Sequence, residues 1–401
     1  MLIVSLAGIR FATRPRKAAR ELAWTHRVRY LALQSSGRGG RVDAAGVFDS
    51  DGVAVHQIRV RDRRPGGGIT AKLFNLLVAY APAFLRLFWV AMKTPASIVM
   101  IANPVLAPIA AAHRLRFRSR IVLDVAERPG AIAAKDSLAS FFSRLEPFTL
   151  RHLAKGGGIA TVAVPSDAGL LQRYGFERVI PLRNTPLASW RAPYHDPEHD
   201  GTLRCVVIGS VFEGRAFEIL IRAMAICVAR TVPVHLRVVG PGTPAYLQRL
   251  QVMTQDLGVE QVLTWEGPIE GDEVSKAYLG ADLGLVLYEA DDPANDGLSN
   301  KILECVSSGR PVLAGDLPEN RRFVTENRVG WLAEVTPEGI ATALESIVAE
   351  ADLREVSRRC RALGDASLSW EAEFQPLLKE ITHARSADAD FVSRGQASAG
   401  R

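Results

Sequence analysis

Short apolar runs alternate with helical stretches along most of the chain, and that alternation limits the fold more than any other feature. In the first half the runs are LIVSLA, VRYLALQ, SIVMIA, RIVLD and IATVAV, punctuated by segments such as PRKAARELAWT and FFSRLEPFTLRHLAK. The second half repeats the pattern with RCVVIG, HLRVVG, VLTW, LGLVLY, PVLAG and GWLAE, separated by AFEILIRAMAICVAR and PAYLQRLQVMTQDLG. Continuous apolar strands between helices call for a parallel sheet covered on both faces. Two such α/β, doubly wound domains are expected, and 401 residues suffice for two cores. Segment 186–201, PLASWRAPYHDPEHDG, is rich in proline and charge and lacks periodicity, as a linker does. The expected division is therefore a first domain over 1–186, a linker over 187–202 and a second domain over 203–370. A closing helix over 371–384 and a small, polar, disordered tail over 385–401 follow.

Charge is divided unevenly between the halves. Residues 1–155 hold 25 Lys and Arg against 9 Asp and Glu, a net +16 that leaves −10 for the remainder. A basic first half attracts anionic lipid or an anionic acceptor. Few aromatics interleave with these cations, so nucleic acid is not expected. In the sharpest basic run, RLRFRSR at 114–120, alternate arginines could line one face of an extended segment, but a plain solvated face is the favoured reading. Cys205, Cys227, Cys305 and Cys360 lie far apart and in apolar surroundings, which predicts buried thiols, no disulfide and a reducing compartment. MLIVSLAGIR lacks the basic start and long apolar core of a signal peptide, so the expected location is the cytoplasm. Segment 73–92, LFNLLVAYAPAFLRLFWVAM, has the length of a bilayer span. Asn75, Pro82 and Arg86 within it favour a core or interfacial helix instead. The expected membrane role is thus at most peripheral, at the inner face of the plasma membrane. His195 and His199 flank Pro197 and do not make a metal site, nor do Asp388 and Asp390 in the tail.

The chemistry concentrates in DGLSNKILECVSSGRPVLAGD, residues 296–316. Asp296-Gly297 reads as a turn, Ser299 as the cap of a helix over about 300–307, and Gly309 with Pro311 as its stop. Such a helix start presents unpaired N–H groups and partial positive charge to an anion. Glu304, more than one turn further in, can address a polar part of the same ligand. Taken alone, Asp296 reads equally well as a turn former and Glu304 as a solvated helix residue.

The second half resembles family 4 of the sugar-nucleotide-dependent glycosyltransferases, which have the two-domain GT-B fold. VVIGSVFEGRAFEILIRAM is similar to the family's opening strand, phosphate loop and helix, and HLRVVGPG to its next strand and Gly-rich turn. LGVEQVLTWEGPIEGDEVSKAYLGADLGLVLY, DGLSNKILECVSSGRPVLAG and the closing SWEAEFQPLLKEI follow in the same order. The resemblance covers about residues 203–383. It implies two Rossmann-like domains facing a central cleft, with Gly209, Ser210, Gly240, Gly242, Gly297, Leu298, Ser299, Asn300 and Glu304 on the donor side. Glu304 stands where the family's second glutamate binds the ribose hydroxyls. Asp296 replaces the first glutamate. Arg215 stands at the family's usual lysine, Ser210 where many members have arginine, and Lys301 is the implied second cation for the diphosphate. In the first domain VLDVAERPG, 122–130, is similar to a segment that often reads Asp-x-His-Glu. Ala126 takes the histidine place, and Asp124 and Glu127 remain as cleft carboxylates.

What the resemblance implies is transfer of a sugar, with retained configuration, from a nucleotide-diphosphate sugar to a hydroxyl of a glycan or lipid-linked glycan. Arg215, Lys301, Asp296 and Glu127 are the implied catalytic groups, and no metal or other cofactor is required. Ala126, Ser210 and Asp296 motivate a rival, a GT-B protein that binds sugar nucleotide without turnover. A sugar-nucleotide epimerase shares the architecture but would need carboxylates that nothing in the sequence singles out.

Overall fold

The apolar runs become the strands of two sheets in a computed structural model that describes residues 1–6, 13–35, 46–50, 52–60, 76–126, 147–155, 157–197, 200–269, 273–289 and 297–382. One unit comprises Met1–Arg183 with Phe374–Arg401, the other Asn184–Glu373.

The first unit contains β1 (Leu2–Ser5), β2 (Arg29–Ser35), β3 (Gly46–Ser50), β4 (Val53–Val60), β5 (Ile98–Ile101), β6 (Arg120–Val125), β7 (Ile159–Val162) and β8 (Arg178–Pro181). Their order is β3-β4-β2-β1-β5-β6-β7-β8, parallel except for β3 against β4. The sequence reading lacks the β3–β4 hairpin. Its signal was the Asp51-Gly52 dipeptide, since Ser50 pairs with Val53 across a two-residue turn and Gly52 has φ +76°. β8 was missed because its residues are only partly buried or exposed.

The arginine run at 114–120 is not extended. Arg114 and Arg116 fall in the last turn of helix Ala107–Phe117, Arg118 takes a left-handed cap with φ +54°, and Arg120 opens β6. The helical stripe of Ile109, Ala110 and His113 is buried and carries the helix through the arginines. Arg114 donates to the carbonyls of Leu153 and His152 at 3.3 and 3.1 Å. It thereby caps the negative end of the neighbouring helical turns. The apolar stretch of the first half is helical from 76 onward, and its helix Ala81–Met92 buries Ala83, Leu87 and Ala91. Residues 73–75 lie outside the described set. Among the described residues no helix is long and apolar enough to cross a membrane.

The second unit contains β9 (Leu203–Ile208), β10 (Val234–Val239), β11 (Leu263–Glu266), β12 (Leu283–Val286), β13 (Val312–Gly315) and β14 (Gly330–Ala333). All pairs are parallel, in the order β11-β10-β9-β12-β13-β14. The chain builds outward from β9 to β11, then returns to β12 and builds the other way. The ends of β9 and β12 therefore diverge at a switch point, where open α/β sheets bind ligands. Alternate residues of β9 serve opposite cores: Leu203 and Cys205 pack with helix Phe217–Ala229, Val206 and Ile208 with helix Asn300–Ser307. All four cysteines are buried and unpaired.

The proline-rich segment packs against the second unit despite having little regular structure. Ala192 N–H donates to Ser275 Oγ at 3.0 Å, Arg191 pairs with Asp365 at 2.9 Å, and Tyr194 Oη donates to Ser357 Oγ at 3.2 Å. Behind it lies Arg310, fully buried, which donates to the carbonyls of Ala281 (2.7 Å), Leu279 (2.9 Å) and His195 (3.0 Å).

In the first unit Asp124 is also buried and is not open to a substrate as the sequence had suggested. Arg14 grips both its oxygens, at 3.2 and 2.5 Å, and Thr161 Oγ donates to Oδ1 at 2.6 Å. A third Arg14 bond reaches the Leu182 carbonyl at 2.6 Å, tying the first helix to the chain beyond β8. Arg14→Met strands the carboxylate in the core and should cost roughly 3–5 kcal/mol of stability in denaturant unfolding. Adding Asp124→Leu should recover much of that loss, because the uncompensated charge is then gone.

Candidate functional site

The site is built at the carboxyl ends of β9, β10 and β12. Beyond β9, Gly209 N–H donates to Val239 O at 2.9 Å and Val211 N–H to Pro241 O at 2.8 Å, while Val211 and Gly242 form a parallel bridge. Two backbones thus run against each other with no side chain between them. Gly240 has φ +153°, and a Cβ there would stand 1.9 Å from Gly209 O, so glycine is obligatory. The loop then turns through Gly214 (φ +85°) and Ala216 (φ +56°) into helix Phe217–Ala229. Ala216 N–H donates to Glu289 Oε1 at 3.2 Å.

Helix Asn300–Ser307 starts beside this loop with the predicted cap, for Ser299 Oγ accepts from Lys301 N–H at 3.3 Å. Tyr288, just past β12, fixes the cap through a 2.8 Å hydroxyl contact with Ser299 Oγ. The Lys301 stem crosses Gly209, whose Cβ position would lie 3.3 Å from Lys301 Cε. Its ammonium pairs with Glu304 Oε2 at 2.9 Å, with the two side chains 32% and 22% exposed. Arg215 lies between two rings, its guanidinium carbon 4.6 Å from the Phe212 centroid and 4.5 Å from that of Tyr288. The π faces hold the guanidinium plane while leaving its positive charge in place.

A cavity of about 170 Å³ is lined by Gly209, Ser210, Phe212, Arg215, Tyr288 and Lys301, among others. The structure therefore gathers Gly209, Ser210, Arg215, Lys301 and, through its ion pair, Glu304. Gly240 and Gly242 support the loop from beneath. Gly297 and Leu298 lead into the cap, and Asn300 is exposed at the first turn. Asp296 and Glu127 lie outside the described residues. Phe212, Tyr288 and Glu289 escaped the sequence reading, although Tyr288 and Glu289 follow the carboxyl end of a central strand, where ligand contacts concentrate. A larger cavity of about 570 Å³ lies in the first unit at the strands' amino ends. The smaller one is taken as the functional site because it joins the switch point, the glycine crossing and a capped helix start. Among the described residues no group of three or more metal-ligating side chains is assembled.

Residues 202–350 match the family model described as Glycosyl transferases group 1. Over 145 residues the chain is 27% identical to the O-antigen biosynthesis protein RfbC of Myxococcus xanthus. Over 156 residues it is 29% identical to the GDP-mannose-dependent alpha-(1-6)-phosphatidylinositol monomannoside mannosyltransferase of Mycolicibacterium smegmatis. These alignments cover 36% and 38% of this chain but only 11% and 39% of the relatives. The solved structure of sucrose-phosphate synthase from Thermosynechococcus elongatus superposes with TM-score 0.70 at 15% identity, covering 96% of this chain and 100% of that one. Anabaena Alr3699/HepE in complex with UDP gives TM-score 0.65 at 12% identity, covering 95% and 99%. Residues 202–350 thus resemble the group 1 glycosyl transferases, and the two α/β units share the GT-B fold of these structures.

Ser299→Ala removes the cap acceptor and the partner of Tyr288. It should lower stability by about 1 kcal/mol, measured by thermal unfolding. Gly240→Ala forces the β9 and β10 loops apart and should abolish the native fold, read as lost near-UV circular dichroism.

Proposed function

We propose that the protein transfers a sugar from a nucleotide-diphosphate sugar to a hydroxyl of a glycan or lipid-linked glycan, with retention of configuration. The observation that carries this reading is the meeting of Arg215, Lys301 and the capped start of helix Asn300–Ser307 over the Gly209 loop. That arrangement suits a diphosphate, which takes backbone N–H groups and two cations together. Nucleotide-bound HepE, similar in fold, and the GDP-mannose-dependent relative support a nucleotide sugar as donor.

In this reading the bond from the sugar's anomeric carbon to the diphosphate breaks as the acceptor oxygen bonds to that carbon on the same face. The acceptor proton passes to a phosphate oxygen of the departing nucleotide. Arg215 and Lys301 stabilise the negative charge as it gathers on the leaving group, which is where positioned charge contributes most. Glu304 turns toward the ribose hydroxyls when the phosphates take over Lys301. Asp296 and Glu127, outside the described residues, are assigned to the donor sugar and to the acceptor by the family resemblance alone. Binding without turnover remains the competing reading, favoured by exposed Ala126 at the end of β6 in the place of a histidine.

Thermal unfolding with UDP, GDP, dTDP and ADP should identify one nucleotide that raises the midpoint, and Glu304→Ala should remove that shift. With the matching sugar nucleotide, Arg215→Ala should slow transfer on the order of 10²–10³-fold. Wild-type protein that binds the nucleotide yet yields no transferred sugar would establish the competing reading.

For the surface that carries the acceptor, we propose an anionic membrane met by helix Ala81–Met92. Leu85 and Trp89 are 62% and 61% exposed one turn apart, Arg86 and Lys93 flank them, and Lys93 Nζ lies 5.3 Å from the Trp89 ring centroid. Apolar tips beside cations suit the interface of an anionic bilayer. Leu85→Ser with Trp89→Ser should sharply reduce sedimentation with anionic vesicles at low salt while leaving the unfolding midpoint nearly unchanged.

A further inference from the structure

The cavity of about 570 Å³ in the first unit lies at the amino ends of β6, β7 and β8, since Arg120 opens β6, Gly157 and Gly158 precede β7, and Arg178 opens β8. Ligands of doubly wound sheets ordinarily bind at the opposite, carboxyl ends. Its walls nevertheless carry Arg120, Arg151, Lys155, Arg173 and Arg178 against one carboxylate, Glu177. Arg178 is balanced by Glu380, 2.5 Å away. No described acidic side chain pairs with the other four cations.

Helix-end electrostatics account for part of this cluster. Lys155 follows the helical turns over 147–154 and Arg173 stands in the last turn of helix Ala168–Arg173, where a cation offsets the negative helix end. Arg151 stands in the last turn of that same segment and shares the role, whereas Arg120 has none of it. Like charges gathered round a concavity also raise its potential and concentrate multivalent anions.

We propose that this cavity is a second binding site, specific for a phosphate-bearing group and separate from the donor site. Its volume fits a phosphorylated small molecule or the headgroup of an anionic lipid. Phosphate is the shared chemistry, because a row of guanidinium groups matches its oxygens in charge and in fork geometry. The site stands whether or not the chain transfers sugar.

The test uses inorganic pyrophosphate as probe, titrated calorimetrically at low salt into the full chain carrying Arg215→Ala and Lys301→Ala, so that the donor loop does not contribute. Binding should persist there, weaken with added salt, and fall at least about tenfold when Arg151→Gln and Arg173→Gln are added. Both positions are exposed, so folding should survive, and circular dichroism checks it. Arg120→Gln with Arg151→Gln should have the same effect. A parallel arm sediments the protein with phosphatidylcholine vesicles with and without phosphatidic acid. Pyrophosphate binding that depends on the arginines assigns the site to a soluble phosphate. Vesicle binding that depends on them, without pyrophosphate binding, assigns it to a headgroup. Folded variants that match the wild type in both arms overturn the proposal.

Discussion

Arg310 is the interaction on which the second unit most depends. Burial lowers the pKa of its guanidinium, and among the described residues no carboxylate touches it directly; its donors are shared among the carbonyls of Ala281, Leu279, His195 and Gly309 and the Ser357 hydroxyl. A buried cation of this kind is tolerated only if nearly every donor is used. Its acceptors come from the approach to β12, the proline-rich segment, the end of the site helix and helix Leu353–Ser367. Gly309, at φ +81°, closes the site helix and lies under the Tyr194 ring, with no room for a Cβ. The rear of helix Asn300–Ser307 is therefore clamped, and its front turn can present Lys301 and Glu304 in a fixed direction.

Local chemistry was legible wherever it was sufficient. The apolar runs gave the central strands and Ser299 gave the helix start, whereas the glycines after β9 and β10, named only through the family resemblance, prove to sit at a backbone crossing. What the sequence hid depends on pairings between distant positions. Asp124 reads as an acidic strand end, and only the fold brings Arg14 onto it. Arg215 reads as one cation in a loop, while Phe212 and Tyr288, its two ring neighbours, come from different strand ends. Arg310 reads as an exposed arginine before Pro311. The alternating arginines of 114–120 also allowed a strand, whereas the buried stripe preceding them commits the chain to a helix.

The donor loop shows how charge can be kept available in a partly dry site. Arg215 is held between two aromatic faces, which attract the guanidinium without neutralising it. Lys301 has a carboxylate partner, and the pair is partly exposed, where such bonds are weak and exchange readily. Glu304 is thus close enough to hold the ammonium in place and loosely enough bound to yield it to a stronger anion.

The ends of a parallel sheet impose different rules on anion binding. At the carboxyl ends, helices begin, and backbone N–H groups with a positive dipole supply much of the attraction without charged side chains. The Gly209 loop and the Ser299 cap follow that rule, so two cations would complete the proposed donor site. At the amino ends, helices finish and present carbonyls, and the backbone there repels an anion. A phosphate site at that edge has to overcome this repulsion with side chains alone. The five cations round β6, β7 and β8 are what such a site needs, and three of them stand at helix ends, where they also cancel the local negative field.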